Sequence, residues 1–241
     1  MAKAYIGTSG WQYPDFSLRF YPPDLVKTGQ LSYYADRFPT VEVNNTFYHL
    51  PQVKTVENWA GMVPEGFIFA VKASRFITHM KYLLDPEETL PKFFERIAGF
   101  GEHCGPVLFQ LPPRWEVDLK RLRNFLSHLP QGHRCTFEFR NRTWLIQAVY
   151  DLLEDHHAAF CIYEFNYHQS PILATADFVY IRLHGPGRAY ADPYAPLELE
   201  RWAVRINQWL REGRDVYSYF DNTLNGYAWD NAQTLLKLID S

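Results

Sequence analysis

A short β-rich run recurs eight times in this chain, and nearly every run ends in a charged or amide side chain. The runs cover residues 4–8, 40–44, 67–72, 106–111, 134–140, 158–163, 177–183 and 214–220. Runs such as Phe67-Ile-Phe-Ala-Val71 are continuously apolar, the pattern of a parallel strand buried on both faces. Between most of them lie segments with helical spacing: Leu31, Tyr34, Ala35 and Phe38 before the second run, Leu119 to Leu129 before the fifth, then 198–211 and 225–239. Eight strand–helix units predict an α/β fold, a TIM-like (β/α)8 barrel, as a single domain over 1–241. Only about a dozen residues separate the sixth run from the seventh, so the helix between them is expected to be short or missing. In such a barrel, polar groups at the carboxyl ends of the strands are where ligands sit.

Bulk properties narrow the function class. A net charge of −3 gives no basis for wholesale attraction to nucleic acid or to an anionic membrane. No apolar run approaches the ~20 residues of a membrane helix, and the first strand begins almost at once, so a cytoplasmic protein is expected. Cys104, Cys135 and Cys161 are far apart and never form a C-x-x-C pair, which argues for buried thiols rather than a disulfide framework or a zinc knuckle. Long loops after the first and seventh runs, 9–28 and 185–196, are rich in aromatics, proline and glycine and are expected to act as lids.

Strand residues alternate in direction, so Glu42 and Asn44 share one face, as do Glu138 and Arg140, and Arg182 and His184. Lys72 closes the third run and Gln110 the fourth; Asp221 and Asn222 follow the eighth. So many polar groups at one buried end are costly unless they bond each other or a ligand. They could plug the barrel, Glu42 pairing with Lys72 and Glu138 with Arg140 or Arg182; repetition on six strands favours function. Glu42, Glu138 and His184 are the candidate catalytic residues. Lys72, Arg140 and Arg182, with Arg75 and Arg188 nearby, suit a phosphate- or carboxylate-bearing substrate. Trp11, Tyr48, Trp144, His79, Gln110, Asn44 and Asn222 complete the expected binding set. No cofactor is required by the sequence; a divalent metal held by Glu42, Glu138, His184 and His79 is an alternative without a diagnostic spacing.

Motifs in order along the chain carry a resemblance. Gly7-Thr-Ser-Gly-Trp11, Val41-Glu-Val-Asn44 with Thr46-Phe-Tyr48, Phe69-Ala-Val-Lys72 with Thr78-His79, Leu108-Phe-Gln-Leu-Pro-Pro113, Glu138-Phe-Arg140 with Trp144, Arg182-Leu-His-Gly185 and Tyr219-Phe-Asp-Asn222 together resemble the YecE-like family, domain of unknown function 72. The resemblance implies a TIM-like barrel with a polar pocket at the strand ends and no settled reaction. Two residues depart from it: Phe16 stands where a second tryptophan is frequent, and Glu164 where an aspartate is common.

The expected function is an enzyme using acid–base or metal-assisted chemistry on a small polar, anionic substrate, whether isomerase, lyase or hydrolase. The rival is a non-catalytic nucleotide or single-stranded nucleic-acid binding protein, with Trp11, Tyr13, Tyr48 and Trp144 as stacking platforms.

Overall fold

Residues 1–239, the Leu18 side chain excepted, are described by a computed structural model. Its strands are β1 (Ala4–Thr8), β2 (Thr40–Val43), β3 (Ile68–Lys72), β4 (Cys104–Leu111), β5 (Cys135–Phe139), β6 (Ala159–Phe165), β7 (His168–Gln169), β8 (Phe178–Leu183) and β9 (Asp215–Phe220). All but β7 run parallel around a nearly closed barrel, in the order β1-β9-β8-β6-β5-β4-β3-β2. The helices are α1 (Pro14–Arg19), α2 (Gln30–Ala35), α3 (Asn45–Tyr48), α4 (Val53–Ala60), α5 (Pro86–Ile97), α6 (Leu119–Ser127), α7 (Gln147–Asp155), α8 (Pro196–Arg211) and α9 (Tyr227–Leu238). None of them is long and apolar enough to cross a membrane.

Local chemistry sets these elements. In α8, a proline opens the first turn and the Glu198 carboxylate accepts the Ala195 N–H at 2.7 Å, satisfying an N-terminal donor. Leu199, Trp202, Ala203, Ile206 and Trp209 then recur at helical spacing and are buried against the barrel. In α6, Asp118 caps the Arg121 N–H at 2.9 Å, and Leu122, Phe125 and Leu126 face inward.

The missing sixth helix is borne out: no helix lies between β6 and β8. A feature the sequence reading did not anticipate replaces it. Asn166 (φ 52°) and Tyr167 (φ 62°) are both left-handed, a two-residue hairpin turn that folds β7 antiparallel onto the end of β6. Ser170 then bonds both the N–H and the C=O of Tyr163. Ile172, Leu173 and Ala174, half-buried, cover the wall where a helix would stand.

Two seams in the barrel carry little backbone pairing. β5 and β6 are in register only at Thr136–Ala159 and Phe137–Phe160. β1 and β2 meet through a single bridge, Ser9 to Glu42. A side chain completes that second seam: the Tyr34 hydroxyl accepts the Thr8 N–H at 2.8 Å and donates to the Thr40 C=O at 3.0 Å. Gly7 makes the approach possible, since a Cβ there would meet the Thr40 oxygen at 2.2 Å.

The interior is filled in layers. At the amino-terminal end of the strands Tyr5 stacks on Tyr217 at 4.8 Å, and Arg134 reaches the Asp215 carboxylate at 2.6 Å and the Tyr217 hydroxyl at 2.8 Å. A cavity of about 460 Å³ at this end is lined by Ala2 and Lys3 on one side and Leu236 and Ile239 on the other. Above lie Tyr180 and Tyr219, accommodated by small neighbours Ala70, Ala159 and Cys161. The charged residues form the top layer.

Candidate functional site

Strand parity builds the top layer. On β8, Tyr180, Arg182 and, just past the strand, His184 share one face; β2 contributes Glu42, β5 Glu138 and then Arg140, and β9 leads to Asp221. The Arg182 guanidinium is the centre. Its Nε and Nη2 hold both oxygens of Glu42 at 2.9 and 2.8 Å, its Nη1 holds Glu138 at 2.9 Å, and Nη2 lies 3.3 Å from Asp221. The Tyr180 and Ser9 hydroxyls donate to Glu42 at 2.7 and 2.8 Å. Arg140 pairs with the second oxygen of Glu138 and stacks over Phe165, its guanidinium carbon 4.1 Å from the ring centroid.

This geometry sets the protonation states. Burial alone would raise both glutamates, but the guanidinium charges outweigh it, Arg182 on Glu42 and Arg140 with Arg182 on Glu138, and hold the carboxyls below their usual value. His184 is pushed well below its usual value by burial, then by Arg182 and Arg140. Its Nδ1–H donates to the Glu164 C=O at 2.9 Å, and Nε2 accepts from Arg140 at 3.1 Å. Asp221 differs. Burial raises its pKa to about 7, and Arg182 only partly offsets this. It is 9% exposed, whereas Glu42 and Glu138 are fully buried.

Lys72, at the end of β3, lies with Nζ 4.6 Å from the centre of the Phe47 ring, and His79 meets the same ring edge-on at 5.1 Å. Around this centre the mouth opens into two clefts. One, of about 340 Å³, is lined by Gln110, Arg140, Arg142, Tyr163, Phe165 and Tyr190 among others, with no carboxylate. The second, of about 220 Å³, is lined by Gly10, Trp11, Gln12, Tyr13, Asn44 and Asn45. The Asn44 Oδ1 is buried there without a hydrogen-bond partner. Tyr13 and Tyr190, from the two long loops, are each raised by burial and then by the charge of Asp221.

Of the residues expected from sequence, the structure gathers Glu42, Glu138, His184, Arg140, Arg182 and Lys72, and lines the clefts with Trp11, Asn44 and Gln110. It corrects several others. Trp144 is fully buried: the turn Arg142–Trp144 folds back over the outer face of β5, where the indole stacks on Phe139 at 5.1 Å and donates to the Trp115 C=O. Asn222 points away from the mouth, its amide donating to Asp192 O and Asn231 Oδ1. Tyr48 is 64% exposed and lies edge-on to Phe47 rather than lining either cleft. Arg182 is consumed by three carboxylates, so it has no fork to offer a substrate anion. Arg188 pairs with Asp192 inside its own loop, and Arg75 is exposed beside His79. Glu42 pairs with Arg182, not with Lys72. Glu164 faces outward and accepts from Gln169 at 2.6 Å, so its departure from aspartate bears on wall packing, not on the mouth. The alternative metal set is not assembled: guanidinium groups occupy both glutamates, and no group of three or more ligating side chains converges among the described residues.

Sequence reasoning passed over Asp221 in favour of its neighbour Asn222. The signal was present, because Tyr217, Tyr219 and Asp221 share the inward parity of β9 and Asn222 does not.

The fold and the site thus define a TIM-like barrel whose mouth is bolted by a buried arginine–carboxylate lattice with open clefts beside it. The chain belongs to the family described as protein of unknown function DUF72, which matches residues 5–241. It is 26% identical over 269 residues to the UPF0759 protein YunF of Bacillus subtilis (strain 168), covering 98% of this chain and 94% of that one. A DUF72 family crystal structure from Thermotoga maritima aligns with a TM-score of 0.86 and 26% identity over 98% of both chains. One from Enterococcus faecalis V583 aligns at 0.83 with 18% identity, over 98% of this chain and 95% of that one.

Proposed function

We propose that this chain is an enzyme that takes a small anionic substrate into the cleft beside Arg140 and Arg142 and moves a proton through Asp221. One observation carries the reading: Asp221, though buried, is the mouth carboxylate that keeps residual exposure and only long contacts to Arg182 and His184, near a cleft that has two guanidinium groups and no acid. Its pKa near 7 suits a group that both takes and gives a proton at neutral pH. Glu42 and Glu138, fully buried and fully bonded, act in this reading by fixing Arg182 and Arg140. His184, with both ring nitrogens engaged, orients Arg140.

Arg142 is exposed and has no ion-pair partner among the described residues, so Arg142→Ala removes a cleft cation without disturbing the lattice. Titration calorimetry with inorganic phosphate and with small mono- and dicarboxylates is expected to detect binding that Arg142→Ala weakens about tenfold, the effect of losing one charge-assisted contact. A turnover screen over phosphorylated and carboxylated metabolites is expected to find an activity that Asp221→Asn lowers by about 10²–10⁴. Absence of anion binding sinks the substrate class. Salt-sensitive binding of oligonucleotides, with no turnover of any small anion, would transfer the assignment to the binding-protein reading.

A further inference from the structure

Lys72 is the one cation of the top layer that the lattice does not use. Glu42, Glu138 and Asp221 all act on it electrostatically, yet it forms no ion pair or hydrogen bond through Nζ among the described residues. The backbone under it is fixed, since Val71 pairs in register with Val43 and Val107, and the Lys72 C=O accepts the Thr46 hydroxyl at 2.6 Å. Its strand lies between the one leading to Asn44, in the smaller cleft, and the one carrying Gln110, in the larger. The side chain is half-buried, with its ammonium against the Phe47 ring.

We propose that Lys72 is a covalent nucleophile that captures the carbonyl carbon of an aldehyde or ketone substrate as an iminium. The proposal deepens the reading above by naming the reacting group of the anionic substrate. The step balances without an oxidant or reductant. Asp221 takes one proton from the ammonium; the amine nitrogen attacks the carbonyl carbon, the new C–N bond forms, and the C=O π pair moves to oxygen. A second nitrogen-bound proton passes to that oxygen, giving a carbinolamine. Asp221 returns its proton as the hydroxyl leaves as water, and the nitrogen lone pair closes the C=N bond. Ammonium plus carbonyl has become iminium plus water, an electron sink for bond changes at the adjacent carbon. Burial, and then the charge of Arg182, lower Lys72 to about 8, opposed by Glu138, Glu42 and Asp221; His79, itself lowered by burial and by Lys72, adds no positive charge near neutral pH. About a tenth of the side chain is therefore free amine at pH 7, far more than for a solvated lysine.

The test is reductive trapping on the full-length protein. The chain is incubated with cyanoborohydride and either glyoxylate, an anionic aldehyde, or propanal, a neutral one, and the modified lysines are mapped by peptide mass spectrometry. Lys72 is expected to be labelled about tenfold or more faster than any other lysine, with a rate that rises through about pH 8. Lys72→Arg and Lys72→Met, verified as folded by circular dichroism, should lose the fast label while the surface lysines keep theirs. Labelling of Lys72 no faster than the surface lysines with both carbonyls overturns the proposal, whatever calorimetry finds for phosphate. Equal, fast labelling by glyoxylate and propanal upholds the Lys72 nucleophile and counts against the anion cleft. A glyoxylate preference abolished by Arg142→Ala upholds both.

Discussion

At the scale of single residues, the mouth separates carboxylates by how completely they are bonded. Glu42 receives four hydrogen-bond donors from Arg182, Tyr180 and Ser9, which outweigh its burial and hold the carboxyl below its usual value. Asp221 has a long contact to Arg182 and one of 3.5 Å to His184 Nε2. The sign of its contribution follows. Its folded pKa, about 7, lies above the ~3.9 of an unfolded aspartate, so the fold favours the neutral acid. That stability is fully present below about pH 4 and is lost as pH rises through 7, amounting to about 4 kcal/mol as an upper figure. Asp221→Asn, which cannot ionise, is therefore expected to gain in melting temperature relative to wild type between pH 4 and 7, and to hold a constant advantage above it. A difference that stays flat from pH 4 to 8 would show that Asp221 titrates normally. Alternation alone was enough to read Glu42, Glu138, Arg140, Arg182 and His184 as neighbours. It was not enough to say who pairs with whom, because Arg182 meets Glu42 across the barrel, at a register that closure sets and no strand states by itself.

At the scale of elements, the strand ends were legible because polar residues interrupt continuous apolar runs, whereas seams and turns were not. Tyr34 reads in sequence as one member of an apolar helical stripe, and its ring is indeed core. Its hydroxyl does the work of a missing ladder between β1 and β2. Tyr34→Phe strands a buried N–H at Thr8 and a C=O at Thr40 and is expected to cost about 2–6 kcal/mol in urea unfolding, at about 1–3 for each orphaned group. Gly7→Ala forces a Cβ into the Thr40 carbonyl and is expected to cost about 3 kcal/mol or more, since backbone rather than a flexible side chain must yield. Losses under half a kcal/mol in both variants would mean that the seam is not closed this way. Trp144 differs from the sequence expectation for a related reason: it follows the inward-facing Arg140 by four residues, but the intervening turn reverses the chain onto the outside of β5.

At the scale of the whole molecule, the two thin seams divide the barrel into halves, β2 to β5 and β6 to β9 with β1. Side chains cross both divisions. Arg182 and Tyr180 on one half grip Glu42 and Glu138 on the other, the Tyr219 hydroxyl meets that of Thr40 at 2.8 Å, and Tyr163 donates to the Phe139 C=O at 2.9 Å. Arg134 and Asp215 repeat the device at the opposite end. The lattice that frames the candidate chemistry therefore also fastens the halves, which explains why so many buried charges sit where apolar packing would serve stability equally well. The cavity under the barrel adds a topological consequence, since Ala2 and Lys3 share it with Leu236 and Ile239. A short glycine linker joining Ile239 to Ala2 would make the two segments continuous, and the chain could be opened instead in the long connection between β1 and β2. A chain rewired in this way would carry each half as an unbroken stretch of sequence. It is expected to fold to the same barrel, with its far-ultraviolet spectrum intact and its melting temperature close to the parent's; failure to fold would mean that the first strand must be laid down beside the second before the halves can join. On this view the order in which residues are threaded is incidental to the architecture, and what defines the molecule is a pair of interlocking troughs held shut by side chains, with one guanidinium group at the centre of the latch.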